Sequence, residues 1–151
     1  MDLTNKVAII TGGASGLGKA SAEALIAKGA KVAIFDMNAA LANETANELG
    51  NQSIAVTVDV TDEASVAAGI SETLAKLGQI DILVNCAGIG PPAKVINREG
   101  EPLPMAQFKK IVDINLFGTF NCLRLAAAEM IKNEPHNSDG GRGVIINVAS
   151  V

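Results

Sequence analysis

The chain has 151 residues, of which 48% are hydrophobic and 19% charged, and it carries a net charge of −4. This composition suits one globular domain and excludes a disordered or collagen-like chain. Tyr and Trp are absent and the net charge is negative, which argues against nucleic-acid binding by base stacking and phosphate contacts. No apolar run approaches the roughly 20 residues that a membrane span needs. We therefore expect neither nucleic acid nor a membrane as a partner.

Short β-branched apolar runs alternate with segments of helical periodicity along the chain. The sequence predicts strands over residues 6–11, 31–36, 53–58, 80–85 and 143–150. It predicts helices over residues 16–28, 38–49, 61–77 and 105–132. Glycine follows each of the first three helices, as is typical of a helix end. Residues 88–104 indicate a long loop, and residues 133–143 a polar surface loop that holds the single histidine, His136.

Apolar strands joined by helices predict a parallel sheet with helices on both faces. Right-handed crossovers then give an α/β, Rossmann-type doubly wound fold with the strand order 3-2-1-4-5. No linker or repeat divides residues 1–151, so we treat them as one domain. Because no helix follows the fifth strand, we expect these residues to be the N-terminal part of a longer protein.

The turn after the first predicted strand is rich in glycine and has the sequence TGGASGLG over residues 11–18. Gly12 permits a sharp turn, and Gly16 and Gly18 keep the backbone bare where a helix begins and its N–H groups attract a phosphate. A turn that binds nothing is one alternative. A phosphate loop of the NTPase kind is another, but Ala20 stands where that motif needs Ser or Thr to bind Mg²⁺.

Asp36 ends the second predicted strand and distinguishes between these alternatives. A carboxylate at this place accepts hydrogen bonds from the adenosine ribose and repels a 2′-phosphate. Positions 14, 15, 37 and 38 hold no Arg or Lys that would attract such a phosphate. The sequence therefore predicts a dinucleotide site that takes NAD rather than NADP.

Further polar residues stand near strand ends or on an apolar helix face, and each has two interpretations. Asp59 is a turn or helix-start carboxylate, or it lies beside the adenine. Asn85 is a turn former or part of the site. Asn115 shares a helix face with apolar and small residues, so we expect it to be buried in a structural hydrogen bond or in a site. Ser150 is a helix cap or a site residue, and its surroundings do not resemble a nucleophile elbow.

The cysteines and the histidine do not form a metal-binding pattern. Cys86 and Cys122 stand apart from each other and from His136, so we expect no disulfide and no metal site. Unpaired thiols suit a reducing compartment, and the first residues do not resemble a signal peptide. We therefore expect a cytoplasmic protein.

Taken together, several motifs resemble the short-chain dehydrogenase/reductase family. They are the glycine turn, Asp59-Val60, Asn85-Cys86-Ala87-Gly88, Asn115 within residues 113–118, and the segment 146–150. The resemblance implies an NAD-binding Rossmann domain of an oxidoreductase that moves a hydride between NAD and a secondary alcohol or ketone. The cofactor-binding residues that it implies, together with those argued above, are Gly12, Ser15, Gly16, Leu17, Gly18, Asp36, Asp59, Val60, Asn85, Ala87 and Gly88.

Residues 118–121, 133–135 and 140–147 are similar to the type 2 3-hydroxyacyl-CoA dehydrogenase branch of that family. This similarity implies a small-molecule substrate, 3-hydroxyacyl-CoA, with a steroid or sugar alcohol as alternatives. A homotetramer is also implied. A non-catalytic dinucleotide-binding module remains an alternative function, whereas a methyltransferase would share the glycine turn and Asp36 but not the later motifs.

The resemblance implies that Ser150 polarises the substrate carbonyl and that Asn115 holds a water of the proton relay. The general acid/base is a Tyr, whose pKa is lowered by a Lys four residues later. The chain contains no Tyr. We therefore expect it to be the N-terminal part of an enzyme of roughly 250 residues and to lack dehydrogenase activity by itself.

Overall fold

A computed structural model describes residues 2–149 of the protein, in which strands and helices alternate. The strands are β1 (Val7–Thr11), β2 (Lys31–Asp36), β3 (Ser53–Thr57), β4 (Ile82–Asn85) and β5 (Val144–Asn147). The helices are α1 (Gly16–Ile26), α2 (Ala39–Leu49), α3 (Glu63–Leu77), α4 (Met105–Val112) and α5 (Thr119–Met130). A π-helical turn, Asp113–Gly118, joins α4 to α5. Ser150 lies outside the described residues.

All neighbouring strands are parallel, and their order is β3-β2-β1-β4-β5. The predicted doubly wound fold and strand order are thus confirmed. The order reverses direction at β1, whose neighbours are β2 and β4. A crevice forms at such a point outside the carboxyl ends of the strands, and this is where ligands bind in open α/β sheets.

Alternate side chains of the strands supply two separate cores. Ile9 and Phe35 face α3 and α5, whereas Ala8, Ile10 and Ile34 face α1 and α2. Successive strand residues point to opposite faces, so a strand buried on both faces is apolar throughout. Every residue of β1 is buried, as this arrangement requires. The central strands are therefore firmly held, and their ends are fixed positions for a site.

Most element boundaries agree with the prediction to within a few residues. Asn38 caps α2 by accepting a hydrogen bond from the N–H of Leu41, and Asp62 caps α3 by accepting one from Ala64. The largest difference is at β5, which covers four residues instead of the predicted range 143–150. The predicted helix over residues 105–132 is continuous as far as Met130, but it contains the π-helical turn.

By length and composition, Met105–Met130 is the one helix among residues 2–149 that could cross a membrane, with 26 residues and a mean hydropathy of 1.2. Its α5 part packs on the sheet and on α3 through Cys122, Ala126 and Met130, which are buried. A core helix of a sheet protein has the same length and composition. We therefore interpret its α5 part as a sheet-covering helix.

Candidate cofactor site

A groove of about 460 Å³ opens at the carboxyl edge of the sheet, beside the ends of β1 and β2 and the start of α1. Every predicted cofactor-binding residue except Asn85 lines it. The groove also has apolar walls that the sequence analysis did not name. These are formed by Phe35, Met37, Val58, Ile89 and Ile114, together with Cys86.

Gly12 and Gly18, two of the groove-lining glycines among residues 11–18, have no room for a side chain. A Cβ on Gly12, whose φ is +62°, would lie 3.0 Å from the backbone N and Cα of Ala87. A Cβ on Gly18 would lie 2.2 Å from the carbonyl oxygen of Gly12. These contacts bring the turn, the start of α1 and the segment after β4 together as one wall of the groove.

Gly16 differs from those two glycines because a Cβ there would meet no atom within 4 Å. Its φ is +51°, a left-handed conformation that favours glycine. Gly16 is the first residue of α1, and within the described residues Ser15 makes no side-chain capping hydrogen bond. The first N–H groups of α1 therefore face the groove with the positive end of the helix dipole, an arrangement that binds phosphate.

Asp36 is held rigidly at the end of β2. Its Oδ2 accepts a hydrogen bond from the N–H of Ala14 at 3.2 Å, and its Oδ1 accepts one from Asn38 at 3.0 Å. Each oxygen keeps a second lone pair, so the carboxylate can still accept hydrogen bonds from two ribose hydroxyls. Lys19, in the first turn of α1, is paired with Glu48, and this hydrogen bond raises the pKa of Lys19.

Asp59 lies in the turn between β3 and α3, where it does not cap the helix; Asp62 does. Its Oδ1 accepts hydrogen bonds from the N–H and the hydroxyl of Thr61, at 2.9 and 2.7 Å. Among the described residues, its Oδ2 has no hydrogen-bond partner. The turn thus presents a fixed carboxylate to the groove, with one oxygen left to accept hydrogen bonds.

Asn85 lies behind the wall of the groove and does not line it. Its side chain is buried and donates from Nδ2 to the Oδ1 of Asn147 at 2.9 Å, which links β4 to β5. The neighbouring Thr11 hydroxyl accepts hydrogen bonds from the N–H groups of Cys86 and Ala87, each at 3.1 Å. These buried bonds fix the backbone that faces the groove, so the geometry favours the structural interpretation of Asn85.

Asn115 is exposed, so the prediction that it is buried was wrong. It lies in the π-helical turn, which departs from the 3.6-residue period on which that face was predicted, and Phe108 of α4 is also half exposed, at 51%. Its amide donates to the carbonyl of Ile89 at 2.8 Å and accepts from the N–H of Ile89 at 2.9 Å. Asn115 therefore fixes the segment after Gly88. This segment forms the wall of the groove on the side of the π-helical turn.

The two thiols are free and poorly ionised. Burial raises the pKa of Cys86, which lines the groove, and a hydrogen bond with Ser21 lowers it by less. Burial raises the pKa of Cys122 to about 12. A thiol needs a lowered pKa to act as a nucleophile at neutral pH. No group of three His, Cys, Asp or Glu residues between residues 2 and 149 is placed to hold a metal ion.

The amino edge of the sheet carries a polar cluster that sequence reasoning missed. Asp81 is fully buried; its Oδ2 accepts from the N–H of Val7 at 2.9 Å and from the amide of Gln79 at 2.7 Å. Its Oδ1 lies 3.1 Å from the Nζ of Lys6 and 3.2 Å from the Nε2 of His136. His136, predicted on a surface loop, is therefore packed inward. The one signal of this cluster in the sequence was a charged residue, Asp81, inside an apolar run.

Comparison with known proteins decides the family. The pattern that describes short chain dehydrogenases matches residues 6–151. The chain belongs to this family. It is 45% identical over 150 residues to 3-hydroxyacyl-CoA dehydrogenase type-2 of Drosophila melanogaster, covering 99% of this chain and 58% of that relative.

Two solved structures show the same fold. The crystal structure of 3-hydroxyacyl-CoA dehydrogenase type-2 from Mycobacterium avium has a TM-score of 0.89 and 38% identity, and the match covers 99% of this chain and 59% of that one. The 3-ketoacyl-(acyl-carrier-protein) reductase from Brucella melitensis, complexed with NADH, has a TM-score of 0.86 and 38% identity, covering 98% and 58%. The family member described here spans little more than half the length of these relatives.

Proposed function

We propose that the chain is the cofactor-binding part of an NAD-dependent oxidoreductase that acts on a secondary alcohol or ketone. One observation carries this proposal: the groove at the carboxyl edge collects the bare start of α1, Asp36 and Asp59 around one open volume. These groups suit the phosphate, the ribose and the base of a dinucleotide, respectively. Family membership supports the reaction type.

The lining of the groove offers a group for each part of a dinucleotide. The N–H groups at Ser15, Gly16 and Leu17 would hold the phosphates, because a Cβ at Gly16 would point into open space. Asp36 would accept hydrogen bonds from the adenosine ribose. The segment Ala87–Gly88, held by Asn115 through Ile89, would face the nicotinamide end. When bound, the nicotinamide supplies the hydride acceptor and donor.

The proton-transfer groups are only partly present in this chain. Ser150 would polarise the carbonyl and Asn115 would support the proton relay, as family resemblance implies. A phenol is needed as general acid/base, and the chain has no Tyr. We infer that the 151-residue chain binds NAD but does not turn over alcohol. Alcohol-dependent NADH formation by the purified chain would contradict this.

For the substrate of the whole enzyme we propose 3-hydroxyacyl-CoA, oxidised to 3-ketoacyl-CoA. The names of the Drosophila and Mycobacterium relatives support it, as does the matching of nearly all of this chain. Assay of the full-length enzyme against 3-hydroxyacyl-CoA, a steroid alcohol and a sugar alcohol tests it. A higher kcat/KM for either of the latter would overturn the substrate assignment and leave the cofactor assignment intact.

Titration with NADH and NADPH, followed by the fluorescence of the reduced nicotinamide, tests the cofactor. The chain has no Trp or Tyr, so protein emission does not interfere. We expect NADH to bind at least about tenfold more tightly, because Asp36 repels the 2′-phosphate. Asp36→Asn should shrink this preference, while Asp62→Asn, at a helix cap outside the groove, should not. Tighter binding of NADPH to the unchanged chain would refute the assignment.

We also propose a homo-oligomer, a tetramer by family resemblance. The exposed apolar residues Leu116, Phe117 and Phe120, each 60% accessible, support a buried partner surface on the long helix. Sedimentation of the full-length enzyme tests this, and a monomer would contradict it. Two free thiols support a reducing compartment, for which we propose the cytoplasm.

A further inference from the structure

Asn121 of α5 is a buried amide that reaches across to the turn between β3 and α3. Its Nδ2 donates a hydrogen bond of 2.9 Å to the carbonyl oxygen of Val60, 61 residues away in the chain. Its Oδ1 accepts one of 3.0 Å from the Nη2 of Arg124. The side chain is 9% exposed, so these bonds replace water and fix the position of the Val60 carbonyl.

The same network also holds the start of α3. The Nη2 of Arg124 lies 2.9 Å from the Oε1 of Glu63, the first residue of that helix. The Glu63 side chain is largely in solvent and that of Arg124 is partly exposed, so the pair by itself contributes little. The buried bond from Asn121 to Val60 is therefore the fixed link between α5 and the turn.

Gly118 holds the other side of Val60. A Cβ on Gly118 would lie 2.6 Å from the Cγ2 of Val60. The backbone of Gly118 is helical, with φ −61° and ψ −44°, so any residue could adopt it and the need for glycine is one of space. Asn121 and Gly118 thus position Val60 by a hydrogen bond and by close packing, from one face of one helix.

Val60 and Asp59 are adjacent, and both line the groove. We propose that Asn121 is a positioning residue for recognition of the adenine base: by fixing the Val60 carbonyl it orients the N–H of Thr61 in the same peptide unit, which holds the Asp59 carboxylate. This rests on the proposed dinucleotide function. The Oδ2 of Asp59 is the acceptor that a base with an exocyclic amino group would satisfy. Hypoxanthine, which carries a carbonyl oxygen in place of that amino group, would face the carboxylate unfavourably.

The test compares NADH with reduced nicotinamide hypoxanthine dinucleotide, titrated into the 151-residue chain by nicotinamide fluorescence. We expect the unchanged chain to prefer NADH by about tenfold, the effect of one hydrogen bond to a charged acceptor. Asn121→Leu should reduce this ratio below about threefold, because the turn loses its link. A purely structural role would weaken both ligands equally and leave the ratio unchanged.

Asn133 provides a matched control. Its amide also links distant backbone, donating to the carbonyls of Ile80 at 2.8 Å and Arg142 at 3.0 Å, but it lies away from the groove. Asn133→Leu should therefore lower the melting temperature and leave the ratio near that of the unchanged chain. If Asn121→Leu does not fold, Asn121→Ala and Gly118→Ala test the same link, and both should reduce the ratio.

The outcomes separate the two proposals. Failure of the unchanged chain to bind NADH would overturn the dinucleotide function and this inference with it. NADH binding with an unchanged ratio in the folded Asn121 variants would overturn the role of Asn121 alone. The same holds if the unchanged chain does not discriminate between the two bases, or if Asn133→Leu reduces the ratio as strongly as the Asn121 variants do.

Discussion

The two edges of the sheet use carboxylates in opposite ways. At the amino edge, Asp81 is fully buried, and both of its oxygens are occupied by Val7, Gln79, Lys6 and His136. At the carboxyl edge, Asp36 is held only by backbone N–H groups and keeps lone pairs toward an open groove. A buried charge without partners is unstable, so the amino edge is closed upon itself. The carboxyl edge retains unused polar groups, as a binding site must.

This contrast assigns stability to one edge and binding to the other. His136 strengthens the closed cluster at the amino edge. The Nζ of Lys6, which can only donate, lies 3.0 Å from the Nδ1 of His136. The ring therefore accepts at Nδ1 a hydrogen bond from Lys6. The loop over residues 133–143 is attached to the sheet by this cluster and takes no part in the groove.

Replacement of Asp81 by Ala should have the largest effect on folding. The variant leaves the Val7 N–H and the Lys6 ammonium without their partner, so we expect the free energy of unfolding to fall by about 3–5 kcal/mol. Urea unfolding followed by circular dichroism measures it. Asp36→Ala, the matched change at the carboxyl edge, should cost no more than about 1 kcal/mol. Equal losses at the two edges would contradict the division between stability and binding.

Replacement of Gly16 by Ala should affect binding more than folding. The new methyl group meets no protein atom, yet it occupies the place where a phosphate would approach α1. We expect NADH affinity to fall by a factor of about thirty, or about 2 kcal/mol, measured by fluorescence titration. The strain at positive φ costs about 1–2 kcal/mol in stability.

Gly78→Ala is the control for that strain, because Gly78 has φ +93° and a Cβ there also meets no atom within 4 Å. It ends α3, away from the groove. It should lower stability by a similar amount and leave NADH affinity unchanged. If Gly16→Ala binds NADH as tightly as the unchanged chain does, phosphate binding at the start of α1 is wrong.

The fold and most of the groove could be predicted because they depend on local signals. Apolar runs and glycine-terminated helices define the strands and helices, and parallel strands bring their carboxyl ends to one edge. Asp36 ends β2 and Asp59 lies in the turn after β3, so both reach the carboxyl edge whatever the side-chain packing is. Asn85 ends β4, yet its side chain lies behind the wall, where it is hydrogen-bonded to Asn147.

What could not be predicted depends on contacts between distant residues. The inward position of His136 requires Lys6 and Asp81, more than fifty residues earlier in the chain. The π-helical turn leaves no periodic signal in one sequence, and Asn115, which lies in it, is exposed. No local pattern distinguishes Asn121, because its bond to Val60 spans 61 residues of the chain.

Because of the buried thiol of Cys122, we expect the free energy of unfolding to decrease at alkaline pH, by an amount intermediate among these predictions. Burial raises its pKa to about 12, whereas an unfolded chain releases the proton near the ordinary value of 9.0. Its contribution is fully present below pH 9 and is lost as the pH rises from 9 toward 12, because only the unfolded state ionises in that window. The free energy of unfolding should fall by about 1.4 kcal/mol at pH 10 from this group.

Urea unfolding at pH 8 and pH 10, with reductant present, measures this loss. Cys122→Ala should show a smaller decrease between the two pH values, while Cys86→Ala should behave nearly like the unchanged chain. A decrease that is the same in all three chains would assign the alkaline sensitivity to other groups.

The smallest effect should be protection of the Cys86 thiol by NADH, and it brings the two edges into one experiment. Cys86 lines the groove and is partly buried, whereas Cys122 is 1% exposed in the core. At pH 8 an alkylating reagent should modify Cys86 slowly, because its pKa is raised, and should reach Cys122 only after unfolding.

Saturating NADH should slow the Cys86 reaction by about threefold, by covering the groove and by stabilising the folded chain. Asp81→Ala should expose Cys122 to the reagent, because it weakens the whole fold. At an NADH concentration that just saturates the unchanged chain, Gly16→Ala should lose most of the protection of Cys86 and leave Cys122 unreactive. If both variants change the two thiols alike, the edges do not act separately.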